Sequence, residues 1–229
     1  MRIPLQYLLS LVPRMRPREF SVASSCEKSP NEIDLLVAIV EYKTVIKTPR
    51  RGICSRWISE MREGDPVDVV ISGGALGEVP RDKPVLMIAP GTGVAPMRAL
   101  VQSRGVVRGD VLYFGCRNRE KDFFFETEWK EEEKRGLVVR CAFSRDQKRK
   151  VYVQNLVREW KEEVWRILEE EGVVFVCGSS GRMPGAVREA LVEVYKGMNS
   201  EGSDEERTKA GQAWLKRLEN EKRYKQETW

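Results

Sequence analysis

The sequence of 229 residues contains no histidine. That removes Ser-His-Asp and Cys-His catalysis, and every metal site built on imidazole. Cysteine is sparse. Cys26, Cys54, Cys116, Cys141 and Cys177 are dispersed, with no C-x-x-C pair. An odd, scattered set argues against a disulfide framework and against zinc or iron–sulfur ligation, so no metal site is expected. A reducing compartment is the natural setting. No apolar run approaches the roughly 18 residues of a membrane span. Neither sign of charge dominates: 40 Lys and Arg against 35 Asp and Glu leave +5. That balance suits an acidic ligand or partner and is too mild to argue for nucleic acid.

What remains is an ordinary globular composition, long enough for one large domain or two small ones. The opening "MRIPLQYLLSLVPRMRPR" has arginines and no acid. It reads either as a weak targeting peptide or as a short amphipathic helix ended by Pro13. Leu5, Leu8, Leu9 and Val12 fall at helical spacing, and no small-residue cleavage site follows.

Two compositional halves meet near residue 80. In residues 1–80, "EFSVASS", "IDLLVAIVEYKTV" and "DPVDVVISG" read as strands, and "SRWISEMREG" as a short helix. Three strands are few for a closed antiparallel barrel. Residues 81–229 alternate. "KPVLMIA", "GDVLYFG", "GLVVRCAF" and "VVFVCG" read as four buried strands. Helices are predicted after "GTGVAP", around "FFFETEWKEEEKR", over "VQNLVREWKEEVWRILEEEG", over "MPGAVREALVEVYK" and over "AGQAWLKRLENEKRYK". Strands alternating with helices predict βαβ units and a parallel sheet. The expected fold class is α/β plus β.

Ligands of such a sheet lie at the carboxyl ends of its strands. There the sequence places "APGTGVAP", "GCRNRE", "FSRDQKRK" and "CGSSGRMPG". Gly91 and Gly93 let backbone approach a pyrophosphate, and the helix that follows offers free N–H groups. A tight strand-to-helix turn is the alternative. Arg145, Lys148, Arg149 and Lys150 lie with Ser144 and Tyr152 in "SRDQKRKVY". A 2′-phosphorylated adenosine, hence NADPH, would account for that cluster, and a solvated basic loop would account for it as well. Cys177 at a strand end is a small core residue or a reactive one; Arg117 is a ligand contact or a surface arginine.

Together these stretches resemble the reductase module of the ferredoxin–NADP reductase superfamily, and within it the diflavin reductases. The resemblance rests on seven ordered motifs: "RPREFSVASS", "RRGICSRW", "MIAPGTGVAPMRA", "FGCRNREKDFFFETEW", "AFSRDQKRKVYVQ", "VCGSSGRMPGAV" and the final "ETW". It implies a partial antiparallel FAD-binding barrel over 1–80, then a ferredoxin–NADP reductase-like NADPH domain over 81–229. Arg18, Glu19, Phe20 and Ser21 would hold the flavin, with Phe20 where relatives have tyrosine. Gly52, Ile53, Cys54 and Ser55 would bind the FAD pyrophosphate. Gly91, Thr92, Gly93 and Arg117 would contact NADPH, Ser144, Arg145, Lys150 and Tyr152 would select its 2′-phosphate, and Val151, Val153 and Gln154 of the same segment would also line the cofactor. Ser21, Cys177 and Glu227 would line the hydride-transfer contact, with Trp229 covering the flavin face.

The resemblance further implies a hydride passed from NADPH to FAD, then electrons to an FMN domain and an anamorsin-type iron–sulfur protein, in the cytoplasm, with mitochondria as a second setting. The FMN domain, the first barrel strands and the helical connecting domain of such reductases have no counterpart here, so the chain is expected to be a fragment or a reduced copy. Competing readings are the reductase module of another diflavin enzyme (a cytochrome reductase, a sulfite reductase flavoprotein or one resembling nitric-oxide synthase) and a non-enzymatic NADPH-binding remnant. Neither a membrane nor nucleic acid is an expected partner.

Overall fold

The computed structural model describes residues 4–12, 15–45, 48–74 and 76–229. The chain divides into two compact units, Met1–Phe20 with Val37–Pro66, and Ser21–Leu36 with Val67–Trp229.

The first unit holds α1 (Leu5–Leu11), β1 (Glu41–Tyr42), β2 (Arg50–Arg51) and α2 (Ile53–Glu60). The predicted N-terminal helix is present as α1. Pro13, expected to end it, lies outside the described residues, as do the side chains of Leu8 and Leu9. β1 and β2 pair antiparallel, with Glu41 opposite Arg51 and an ion pair of 3.0 Å between their side chains. α2 starts two residues before the predicted "SRWISEMREG" and stops at Glu60, short of Gly64.

The three extended runs of the N-terminal half need correction. "IDLLVAIVEYKTV" keeps only Glu41–Tyr42 as a strand. "EFSVASS" keeps a single antiparallel bridge, Val22 to Leu35, which belongs to the second unit. "DPVDVVISG" forms no strand, and Val69, Val70 and Ile71 are exposed. β-branched residues favour a pleated, half-buried surface, and that preference is realised only against a neighbouring strand. Among the described residues "DPVDVVISG" pairs with no strand, and the other two runs pair only at Glu41–Tyr42 and at the Val22–Leu35 bridge.

The second unit is built on β3 (Val85–Pro90), β4 (Val111–Cys116), β5 (Val138–Phe143), β6 (Val173–Gly178) and β7 (Tyr224–Thr228). All neighbours are parallel, in the order β5-β4-β3-β6-β7. Alternate residues feed two cores, as the period of two requires. Leu86, Ile88, Val111, Tyr113, Val174 and Val176 face one way, and Val85, Met87, Leu112, Phe114, Phe175 and Cys177 the other.

A 3₁₀ turn (Gly91–Gly93) leads from β3 into α3 (Val94–Arg104). With α4 (Arg119–Asp122) and α5 (Glu126–Lys134), α3 lies on the Cys177 side of the sheet. α6 (Val153–Glu159), α7 (Lys161–Glu169), α8 (Met183–Met198) and α9 (Asp204–Asn220) cover the other face.

Two features differ from expectation. The single helix predicted over "VQNLVREWKEEVWRILEEEG" breaks at Trp160 into α6 and α7. Trp160 leaves the apolar face and lies beneath the guanidinium of Arg140, 3.2 Å from its ring centre. The sheet also has five strands, not four, because the polar run "YKQET" is β7. It is a strand through its pairing with β6, in register from Val174–Tyr224 to Gly178–Thr228.

Candidate nucleotide and hydride-transfer site

The strand order reverses between β3 and β6, since β3 connects onward to β4 on one side while β6 lies on the other. Such a switch point opens a crevice beyond the carboxyl ends of the two strands. The β3 side of that crevice is Gly91, Thr92 and Gly93. Gly91 sits at φ +59°, in the left-handed region. Gly93 has an ordinary φ of −58°, so space and not conformation demands glycine there. A Cβ on Gly93 would lie 2.0 Å from the carbonyl oxygen of Cys177. The turn therefore rests directly on the end of β6. α3 then begins with no side-chain cap, and its first N–H, that of Val94, donates to Gly91 O and Thr92 O of the turn.

Cys177 is fully buried, and across the β6–β7 ladder its partner is Glu227. Burial, with Glu227 adding to it, pushes the Cys177 thiol up to about 12. The thiol is therefore neutral near pH 7 and not a nucleophile. The Ser21 hydroxyl donates to Glu227 Oε1 at 3.4 Å, across 206 residues of sequence. Trp229 is held by its main chain: its N–H donates to Gly178 O at 3.1 Å, and its carbonyl accepts from Ser180 N–H at 2.8 Å. Its indole stays 49% exposed. Ser21, Cys177, Glu227 and the Trp229 backbone thus gather at the carboxyl ends of β6 and β7.

The loops after β4 and β5 are tied to each other. Arg145 N–H donates to Arg117 O at 2.8 Å, and Asp146 accepts from Asn118 Nδ2 at 2.8 Å and Arg119 N–H at 2.9 Å. Ser144 N–H donates to Cys116 O at 2.9 Å, and its hydroxyl also points to that oxygen. Arg145, Lys148, Arg149 and Lys150 are all exposed, and Tyr152 is partly so. The Arg117 guanidinium lies 3.5 Å from Asp122. Val153 points into the core, where a Cβ on Gly115 would come within 2.8 Å of it. Val151 packs on the same core, and Gln154 is half-buried on α6. A glycine-lined turn that leads into a helix and a linked loop of cations make a site that fits a phosphorylated nucleotide.

In the first unit, Gly52 caps α2 without a side-chain bond, and its N–H donates to Val40 O at 2.8 Å. Ser55 is buried. Its hydroxyl accepts from Val40 N–H at 3.1 Å and faces Gly52 O, so it braces the turn. Ile53 and Arg18 are exposed, Cys54 is half-buried, and Arg18 donates to the carbonyl of Arg16. Glu19 is exposed, and the Phe20 ring is part-exposed. An uncapped helix start with cations in the same unit fits the pyrophosphate of a dinucleotide.

Two polar residues of this region escaped the sequence reading. Asp146 clamps the two loops just described. Lys225, two residues before Glu227 and so on the same face of β7, donates through Nζ to Leu76 O and Glu78 O at 2.6 Å each. The signal for Lys225 is a charge at period two from Glu227, readable only once β7 is known to be a strand; for Asp146 it is a single acid inside a basic run.

Comparison with known proteins agrees with this geometry. Residues 1–57 match the FAD binding domain family, and residues 87–189 match the oxidoreductase NAD-binding domain family. NADPH-dependent diflavin oxidoreductase 1 of Schizosaccharomyces pombe is 42% identical over 100% of this chain and 39% of its own length. The mouse protein of that name is 42% identical over 99% of the chain and 39% of its length, and that of Cryptococcus neoformans 40% over 100% and 37%. The chain thus spans about two fifths of the length of these curated relatives. Over its whole length this chain is thus similar to the part of the NADPH-dependent diflavin oxidoreductases that carries the FAD binding and oxidoreductase NAD-binding domains.

Proposed function

We propose that this chain is a reductase module that takes a hydride from NADPH onto FAD. The observation that carries the reading is the placement of Ser21, Cys177 and Glu227 at the switch point of the sheet, beside the glycine turn on β3. The two cofactors, when bound, supply the hydride chemistry, and the protein supplies placement and electrostatics. Gly91, Thr92 and Gly93 with the start of α3 receive the NADPH pyrophosphate. Ser144, Arg145, Lys150 and Tyr152 receive the 2′-phosphate, with Lys148 and Arg149 adding charge. Arg18, Phe20 and the Gly52–Ser55 turn serve the flavin.

At the transfer point the chain offers no strong base. Cys177 contributes a neutral, dry thiol surface. Ser21 offers a hydroxyl whose proton is shared with the Glu227 carboxylate, so a donor and a negative charge adjoin the site where charge moves. On this reading residues 1–80, a partial antiparallel barrel, carry the FAD side and residues 81–229 the NADPH side.

The relatives' name specifies two flavins, and we place the second, FMN, on a domain outside this chain. An iron–sulfur protein of the anamorsin type is the proposed final acceptor, in the cytoplasm; the resemblance of the sequence motifs supports that choice. The test is anaerobic mixing of the FAD-reconstituted chain with NADPH or NADH. Flavin absorbance near 450 nm should bleach much faster with NADPH. A chain that takes up no flavin but binds 2′-phosphorylated nucleotide is a remnant, and one bleached equally by both nucleotides lacks the assigned 2′-phosphate site.

A further inference from the structure

Segment 21–36 carries Ser21 but has little regular structure to hold it. Its backbone pairing is the Val22–Leu35 bridge with Ala23 N–H donating to Asp34 O at 2.7 Å. Yet Ala23, Ser24 and Ser25 are buried. Leu36 packs on the core and Glu27 pairs with Arg81 at 3.5 Å, and the polar anchor near Ser21 is one face of α3. Val94, Met97 and Val101 turn into the core, while Arg98 and Gln102, one turn apart, meet the segment.

The Arg98 side chain is only 12% exposed and uses four donor bonds. Nη1 donates to Ala23 O at 2.8 Å and to Asp34 Oδ2 at 2.7 Å. Nε and Nη2 grip the Glu128 carboxylate on α5 at 2.8 and 2.9 Å. The Phe125 ring covers the guanidinium at 4.6 Å. Gln102 accepts from Ser25 N–H at 3.1 Å.

We propose that Arg98 is a positioning residue for the hydride-transfer site: it holds Ser21 opposite Glu227 and fixes that pair to the helix that receives the nucleotide. The inference rests on the proposed function. Ala23 is two residues from Ser21, about 7 Å along an extended chain. Arg98 is five residues into the helix from Gly93, about 7.5 Å along a rigid rod. The nucleotide turn and the anchor of Ser21 are therefore parts of one element. The Ser21–Glu227 bond, at 3.4 Å, is already near the limit of a hydrogen bond, so a slip of half an ångström breaks it. Only a planar fork reaches a carbonyl and two carboxylates at once; a lysine supplies one point charge.

The test uses the full chain reconstituted with FAD and the variants Arg98→Gln and Arg98→Lys. Three quantities are read: amide exchange at Ala23 and Ser25, affinity for NADP⁺, and the rate of flavin reduction with NADPH and with its 4-deuterated form. In Arg98→Gln the two amides should exchange at least tenfold faster, while those of β3 and β6 stay protected. NADP⁺ affinity should hold within about twofold. The limiting reduction rate should fall on the order of tenfold, with KM little changed and a larger deuterium effect. Arg98→Lys should fall between, and it carries the test if the glutamine variant does not fold.

An unchanged reduction rate despite faster exchange makes Arg98 a strut only and overturns the proposal. So does loss of nucleotide affinity together with sheet protection, which marks general unfolding. A wild-type chain that fails to reduce its flavin with NADPH refutes the proposed function instead. A wild type that reduces it, with an unaffected variant, refutes the role of Arg98 alone.

Discussion

Replacing Gly93 by alanine isolates a purely steric demand. The new Cβ would stand 2.0 Å from Cys177 O, 2.5 Å from Cys177 C and 3.0 Å from Gly178 Cα. All three are backbone atoms of β6 and its exit, so no rotamer change relieves the overlap. The turn or the strand end must shift by about 1.4 Å to reach ordinary contact. Overpacking costs about 1–3 kcal/mol, and a backbone-on-backbone clash belongs at the top of that range. For a chain of this size 3 kcal/mol corresponds to about 6–12 °C in Tm.

Gly91→Ala is the matched control. Its Cβ meets nothing within 4 Å, and only its φ of +59° opposes a side chain, which costs about 1–2 kcal/mol. Thermal melts followed by near-ultraviolet dichroism compare the two. Gly93→Ala should melt several degrees below Gly91→Ala, and it should also lose NADP⁺ affinity because the start of α3 moves. If Gly93→Ala melts at or above Gly91→Ala, the tight seating of the turn on β6 is wrong.

Trp229→Ala keeps the backbone bonds to Gly178 and Ser180 while removing the indole; if the indole covers the flavin at about 2 kcal/mol, discrimination against NADH should weaken up to about 30-fold, as read from kcat/KM for both nucleotides. Deleting Trp229 removes the backbone bonds too, so it should also raise amide exchange at Ser180. Arg145→Ala should raise the Kd for NADPH about 10–100-fold and leave NADH unaffected, with calorimetric titration at two salt concentrations as the check. The thiols of Cys116, Cys141 and Cys177 are each held up to about 12 by burial. The unfolded chain would ionise them near pH 9, so stability should fall as pH rises from about 9 toward 12; denaturant midpoints across that range test it, and Cys177→Ala should flatten part of the decline.

The α/β half was legible because its inner strands are buried on both faces. "VLMIA", "VLYFG" and "VVFVCG" are near-continuous apolar runs, as a parallel sheet requires. β7 was not legible, because Lys225, Gln226, Glu227 and Thr228 carry no apolar signal, and their strand state comes from the partner. The N-terminal half failed for the converse reason: "DPVDVVISG" has strand composition but, among the described residues, no neighbour to pair with. The break at Trp160 followed a contact, Arg140 over the indole, between residues 20 apart.

The site divides in the same way. The glycine turn and the cationic loop are local in sequence, so composition exposed them. The Ser21–Glu227 pair joins opposite ends of the chain, and only the resemblance suggested it. Arg98 gave no signal beyond a single charge within an otherwise apolar stretch of helix, since its partners come from two segments distant in sequence.

The burial of Cys177 has a bearing on how long such a site lasts. Oxidation of cysteine proceeds through the thiolate. A thiol held near 12 is ionised about a thousandfold less at pH 7 than one at its ordinary value of 9.0. Full burial beneath the Gly93 turn adds a barrier to diffusing peroxide. The fold thus places sulfur, a soft and readily damaged atom, at the proposed hydride-transfer site in a form that peroxide attacks slowly. Chemical durability is built into the same close contact that forces glycine at position 93.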